Sequence, residues 1–156
     1  MSPQLTEALT LGAAVGSALV AGIFFAFSTF VMNALGRVKP EQGITVMQMI
    51  NITVINPWFM IAFFGTGVTG LIVAIPAMLG MSAPLDVHHL AGIVLYVVGC
   101  IAVTVMFNVP LNNALAVTDA ENPESVPLWH HYLRRWTVWN HVRTAASLAA
   151  AALLVV

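Results

Sequence analysis

Charged residues are scarce in this chain: five Lys or Arg and six Asp or Glu in 156 residues, 7% of the total, where a soluble domain carries about 25%. So few charges exclude an ordinary soluble fold, because the polar surface needed to cover its core is missing. The formal net charge of −1 and the lack of any basic stripe exclude a nucleic-acid partner. Cysteine is nearly absent, and the lone Cys100 rules out a disulfide within the chain and reads as a small packing residue. Alternating polar and apolar positions are missing too, which excludes a membrane barrel. No positive n-region precedes the first apolar segment and no clear small-residue cleavage site follows it, so that segment is expected to be retained.

What the sequence has is apolar length, with 60% hydrophobic residues. Four runs, residues 9–32, 58–79, 88–107 and 136–156, each offer about 20 residues, enough for a helix to cross the ~30 Å hydrocarbon layer. Within lipid every backbone polar group has to be satisfied internally, so these runs are helices. The expected fold is therefore all-α: one transmembrane domain over residues 1–156, an integral membrane four-helix bundle. The Met47, Ile50, Val54 recurrence adds a short interfacial helix over residues 41–55, between spans one and two. Asn56-Pro57 then restarts the chain as cap and first-turn proline.

Arg37 and Lys39 follow span one, and Arg134 and Arg135 precede span four. By the positive-inside rule these connections face the cytoplasm, and both termini lie on the non-cytoplasmic side. The run from Trp129 to Trp136 reads as an interfacial anchor of Trp, Tyr and Arg. Gly12 with Gly16, and Gly65, Gly67 and Gly70, read as close-packing positions, within the bundle or in a homo-oligomer.

Polar side chains inside the apolar runs carry the functional signal, since each is costly in lipid without a partner or a cavity. Ser28 and Asn33 lie at the cytoplasmic end of span one, and Gln48, Asn51 and Asn56 in the connection after it. Asn108 and Asn112 end span three, and Asn140, His141 and Arg143 begin span four. All of them fall at one level of the membrane. Trp136, Asn140 and Arg143 follow i, i+4, i+7 and share a helix face, as do Asn108 and Asn112. Pro110 frees the carbonyl of Met106 beside them. Only 13 residues follow Arg143, about 20 Å of helix, which puts its guanidinium below the headgroups.

His88 and His89 begin span three at the far end, roughly 25–30 Å from His141, so one metal ion cannot join them. No span carries an HxxxH or Glu-x-x-His pair, and no metal ligands are assigned. The residues alone leave a metal or haem open.

The run from Gly22 to Ser28 with Phe24, Phe25 and Phe27, then Phe30-Val31-Met32, Met47-Gln48 with Asn51, Asn56-Pro57 with Phe59-Met60, Asn108-Val-Pro110-Leu111-Asn112 and Trp136-Thr-Val-Trp139-Asn140-His141-Val-Arg143 together resemble the anthrone oxygenase family of small four-helix membrane proteins. The resemblance runs along nearly the whole chain, and the Asn-x-Pro-Leu-Asn and Trp-x-x-Trp-Asn-x-x-Arg blocks are its specific parts. It implies oxidation of an anthrone-like or quinol-like lipophile by molecular oxygen as co-substrate, with no metal or flavin, in a bacterial inner membrane.

On that reading His141 is the base, the one side chain among these whose ordinary pKa is near neutrality. Arg143 and Asn140 act with it as donors to a developing oxyanion. Asn108, Asn112, Ser28, Gln48 and Asn51 contact the substrate, and Phe24, Phe27, Trp136 and Trp139 form flat walls. The expected partners are a lipophilic small molecule and membrane lipid. Two other readings stand beside it: a non-catalytic module that holds a quinone, lipid or hydrophobic metabolite, and an accessory subunit of a membrane complex.

Overall fold

The computed structural model describes residues 1–156 as five helices without strands. They are α1 (Pro3–Leu35), α2 (Pro40–Thr53), α3 (Pro57–Met78), α4 (Val87–Ala116) and α5 (Val126–Leu153). Helices α1, α3, α4 and α5 pack side by side as the four-helix bundle, and α2 lies across one end of it. Three of them, α1, α3 and α4, are long and apolar enough to cross a membrane. The fourth, α5, has the length at 28 residues, but its apolar run is broken by the polar group around Asn140 and Arg143. Leu11, Val15, Leu19, Val68, Ile72, Val94 and Val98 point outward around the bundle, an apolar exterior that suits lipid.

Capping chemistry marks several starts. The Ser2 side chain accepts from the Leu5 N–H ahead of Pro3, and Asn56 accepts from the Phe59 N–H ahead of Pro57, as its Asn-Pro pairing predicts. Asp86 caps α4 by accepting from the His88 N–H at 3.0 Å and facing the His88 ring nitrogen at 2.9 Å. The backbone bond first, and the ring second, hold its carboxyl below the ordinary aspartate value.

Two boundaries differ from those the hydropathy suggests. Helix α4 runs through Pro110 to Ala116, nine residues past the expected end of span three. A widened, π-type turn at Thr104–Asn108 precedes Val109 and Pro110, which falls in the first turn of the regular helix that follows, a position where proline is tolerated. Helix α5 starts at Val126, ten residues before the expected start of span four. Trp129, Tyr132 and Trp136 recur every three or four residues there and are all buried, so the aromatic run is a helix face packed on the bundle and not only an interfacial anchor. The same face continues through Asn140, Arg143, Ser147 and Ala150.

The core stacks in three layers along the bundle. Ala13, Ala14, Ala74, Ile93 and Leu154 fill the end near both termini. Val20, Phe24, Phe63, Tyr96, Cys100 and Ala150 fill the middle. Met32, Leu35, Ile44, Met47, Trp129 and Tyr132 join α2 to the other end. Helix α2 is thus anchored by its inner face, while Val46, Met49 and Ile52 remain exposed. Close approach has a sequence cause at Gly16, where a Cβ would collide with the Thr66 hydroxyl of α3, and at Gly43, where it would come within 2.6 Å of the Trp129 ring. Gly12, in contrast, has open space around it.

Gly16→Val is therefore expected to overpack the α1–α3 seam and destabilise the bundle by about 1–3 kcal/mol. Thermal unfolding in detergent, with Gly12→Val as the neutral comparison, checks this.

Candidate functional site

Widened turns interrupt three of the four bundle helices: Phe27–Val31 in α1, Ile61–Gly65 in α3 and Thr104–Asn108 in α4, the last preceded by Leu95–Ala102. Such turns displace backbone carbonyls from their regular partners, and in lipid a side chain has to serve them. Side chains do so here. The Asn140 amide donates to the Phe24 carbonyl at 2.7 Å, the Tyr96 hydroxyl to the Phe63 carbonyl at 2.9 Å, and Thr66 and Thr104 to the carbonyls of Ala62 and Cys100.

A cavity of about 260 Å³, lined in part by these turns, lies between α1, α2, α3, α4 and α5. Its walls are mostly aromatic and aliphatic: Phe24 and Phe27 from α1, Phe59, Phe63 and Phe64 from α3, Trp136 from α5. Phe27 packs against Trp136 at 5.6 Å, and Phe59 stacks on Phe63 at 5.7 Å. Four polar side chains reach it, Asn51, Thr104, Asn112 and Arg143. Ile55, Phe64 and Val105 line it and are also exposed, so it opens sideways between α2, α3 and α4.

Arg143 closes the inner end. It is 3% exposed, and its guanidinium lies over the Phe24 ring at 4.1 Å and the Trp136 ring at 4.9 Å. Nη2 donates to Asn140 Oδ1 at 2.7 Å and Nη1 to the Thr104 hydroxyl at 3.2 Å. A guanidinium has five N–H donors, and the buried Nε–H has no acceptor. No carboxylate lines the cavity, and the nearest contact of this type, the hydrogen bond of His88 to Asp86, is at the opposite end. A buried cation of this kind costs several kcal/mol unless an anion or dense polar contacts offset it.

Asn140 is the bracket that aims Arg143. It is fully buried, and its amide donates to the Phe24 carbonyl and the Ser28 hydroxyl while its oxygen accepts from Arg143. Ser28 in turn sits 3.0 Å from the Thr144 hydroxyl. Ser28 and Asn140 thus stand behind the cavity wall. Asn108 is also buried behind it, donating to the Trp136 carbonyl at 3.2 Å.

A second polar group sits toward α2. Tyr132 Oη and Trp136 Nε1 both donate to Asn112 Oδ1, at 2.8 and 2.9 Å, and Asn51 Nδ2 donates to Tyr132 Oη at 3.4 Å.

Three residues expected at the site are elsewhere. His141 is exposed on the outer face of α5 and does not line the cavity. Two residues along a helix is about 200° of rotation, so His141 cannot share a face with Arg143. Gln48 donates from its amide to the Leu115 and Thr118 carbonyls, at 2.8 and 2.9 Å, tying α2 to the end of α4. Trp139 stacks on Phe107 at 3.7 Å, away from the cavity. Sequence reasoning missed Thr104 and Tyr132. Thr104 precedes Asn108 and Asn112 at four-residue steps, a signal that was available, whereas the Tyr132 contacts join distant segments. His130 and His131 are exposed, and no three His, Cys, Asp or Glu side chains converge anywhere.

Fold and site together define a helical membrane protein whose bundle encloses a laterally open aromatic cavity ending in an unpaired cation. Residues 57–153, which span α3, α4 and α5 with Asn112, Trp136 and Arg143, match the family model described as anthrone oxygenase. The chain belongs to the anthrone oxygenase family. No curated protein and no solved structure matches it.

Replacing Asn140 by Ala removes the side-chain donor to the Phe24 carbonyl and leaves Arg143 with one hydrogen-bond partner, an expected loss of about 1–3 kcal/mol. His141→Ala is expected to change stability by less than about 0.5 kcal/mol. Paired thermal unfolding of the two variants in detergent checks the assignment.

Proposed function

We propose that this protein is a membrane-embedded oxygenase that oxidises a flat, weakly acidic lipophile of the anthrone or quinol type with molecular oxygen. The observation that carries the reading is Arg143: a buried guanidinium without a carboxylate, at the end of an aromatic cavity, in a chain of the anthrone oxygenase family. The lateral opening suits a substrate that arrives dissolved in the bilayer. Since Arg37, Lys39, Arg134 and Arg135 belong to the same end of the bundle as the cavity, we place that end at the cytoplasmic leaflet and both termini on the other side.

In an anthrone the CH₂ between the two rings is acidic because its loss of a proton gives an enolate with the charge on the opposite oxygen. The Arg143 N–H groups face that oxygen and favour the ionised form, and the work is done in a site with little competing water. No titratable base lines the cavity, so the proton leaves to water at the polar mouth near Asn51 and Asn112. The electron-rich carbon then gives one electron to oxygen, and the two radicals combine into a C–O bond. After protonation the resulting hydroperoxide loses its remaining C–H proton as the O–O bond breaks, leaving a ketone and one water. One CH₂ and one O₂ become one C=O and one H₂O, and no external reductant enters. Phe24, Phe27 and Trp136 hold the ring system flat during these steps.

The rival reading is a module that binds a lipophilic anion without turning it over. Oxygen uptake separates them. With an anthrone as substrate, purified protein should consume one O₂ per molecule oxidised. Arg143→Met should lower kcat/KM by about a hundredfold or more, the usual effect of losing an oxyanion donor, while His141→Ala retains activity. Uptake no faster than the uncatalysed reaction, or an unchanged rate in Arg143→Met, overturns the proposal.

A further inference from the structure

The cavity has a polar group at each end, and in the oxidation described above only Arg143 binds the substrate directly. At the end toward α2, Asn112 Oδ1 is fully engaged, because it accepts from both Tyr132 Oη and Trp136 Nε1. An indole N–H can only donate, so the side-chain oxygen of Asn112 has to be the atom facing it. The amide orientation is thereby fixed, and the Asn112 NH₂ is left as a donor on a residue that lines the cavity. Asn51 is placed the opposite way. Its NH₂ is directed at Tyr132 Oη, which leaves its carbonyl oxygen as an acceptor, again on a lining residue. Tyr132 orders both amides: its single hydroxyl donates to one and accepts from the other.

Trp136 stands between the two ends. Its ring face lies under Arg143 at 4.9 Å, and its N–H edge binds Asn112. A flat molecule lying along that indole would have one edge at the guanidinium and the other at the two amides.

We infer that Asn51 and Asn112 form a second binding pole, which takes a hydroxyl or keto oxygen on the edge of the ligand remote from Arg143. A donor and an acceptor side by side suit a hydroxyl, which can satisfy both, better than an ether or a halogen, which satisfies one or neither. The cavity therefore selects flat lipophiles that carry oxygen at both ends, and discriminates against those with a single polar edge. This rests on the proposed substrate class but not on its oxidation.

Equilibrium binding without oxygen tests it independently of turnover. Two naphthalenes serve as probes, 2-naphthol with one hydroxyl and 2,6-dihydroxynaphthalene with one at each end, followed by their fluorescence in detergent. Wild-type protein should bind the diol about tenfold or more tightly than the mono-ol, the scale of one well-made hydrogen-bonded pair. In Asn112→Leu that ratio should fall below about threefold, and in Asn51→Leu, which leaves the Tyr132 and Trp136 bonds to Asn112 intact and so guards against a folding defect, it should fall likewise. Arg143→Met should weaken both probes while the ratio survives. Equal affinities in the wild type, a ratio retained in both Asn variants, or a ratio abolished only by Arg143→Met overturns the second pole. Failure of the oxygenase reading appears instead as binding with the expected ratio but no oxygen uptake.

Discussion

The arrangement around Arg143 constrains everything else in the structure. A guanidinium stays protonated under all ordinary conditions, and here it is buried among aromatic rings with only an amide oxygen and a threonine hydroxyl as partners. Cation–π contacts with Phe24 and Trp136 and two hydrogen bonds soften the desolvation, yet one buried N–H stays without an acceptor. Such a site is tolerated where an anionic or strongly accepting guest completes it, which links the physics of the bundle to the chemistry proposed for it.

The helices are shaped to hold that group in place. Widened turns in α1, α3 and α4 each contribute residues to the cavity wall, and the carbonyls of Phe24, Phe63 and Cys100 each accept from a side chain. Asn140 does two jobs in this scheme, since the amide that satisfies the Phe24 carbonyl also presents its oxygen to Arg143. Backbone repair and cation positioning are therefore one interaction, and removing it disturbs both. Helix α2, held by Gln48 and by the Gly43 contact with Trp129, closes the end of the bundle and supplies Asn51.

Much of this was legible in the residues. Scarce charge and four apolar runs are enough to require a helical membrane bundle, because lipid allows few alternatives. The level at which Asn108, Asn112, Asn140 and Arg143 gather also followed from spacing alone. Helix ends were less legible: an aromatic and basic run such as Trp129 to Trp136 has the same composition whether it anchors at the interface or packs as a helix face, and only its three-and-four recurrence separates the two. His141 shows a different limit. Its chemistry fitted a base, but its position two residues from Arg143 turns it to the opposite side of α5, and helix geometry overrides chemical suitability. The Gln48 bonds to α4 and the Tyr132 cluster depend on contacts between segments more than 60 and 80 residues apart, which periodicity within one helix does not contain.

The proposed chemistry requires Arg143 to hold its guest as an anion. The direct measurement is the absorbance of a lipophilic phenol bound to the protein at a pH one unit below that phenol's own pKa in water, where the free molecule is mostly neutral. A cation in contact lowers a phenol's pKa by about 1–3 units, so about half or more of the phenol bound to the wild type should absorb as phenolate, and the phenol bound to Arg143→Met as the neutral form. A phenol that binds the wild type and stays neutral would contradict the account.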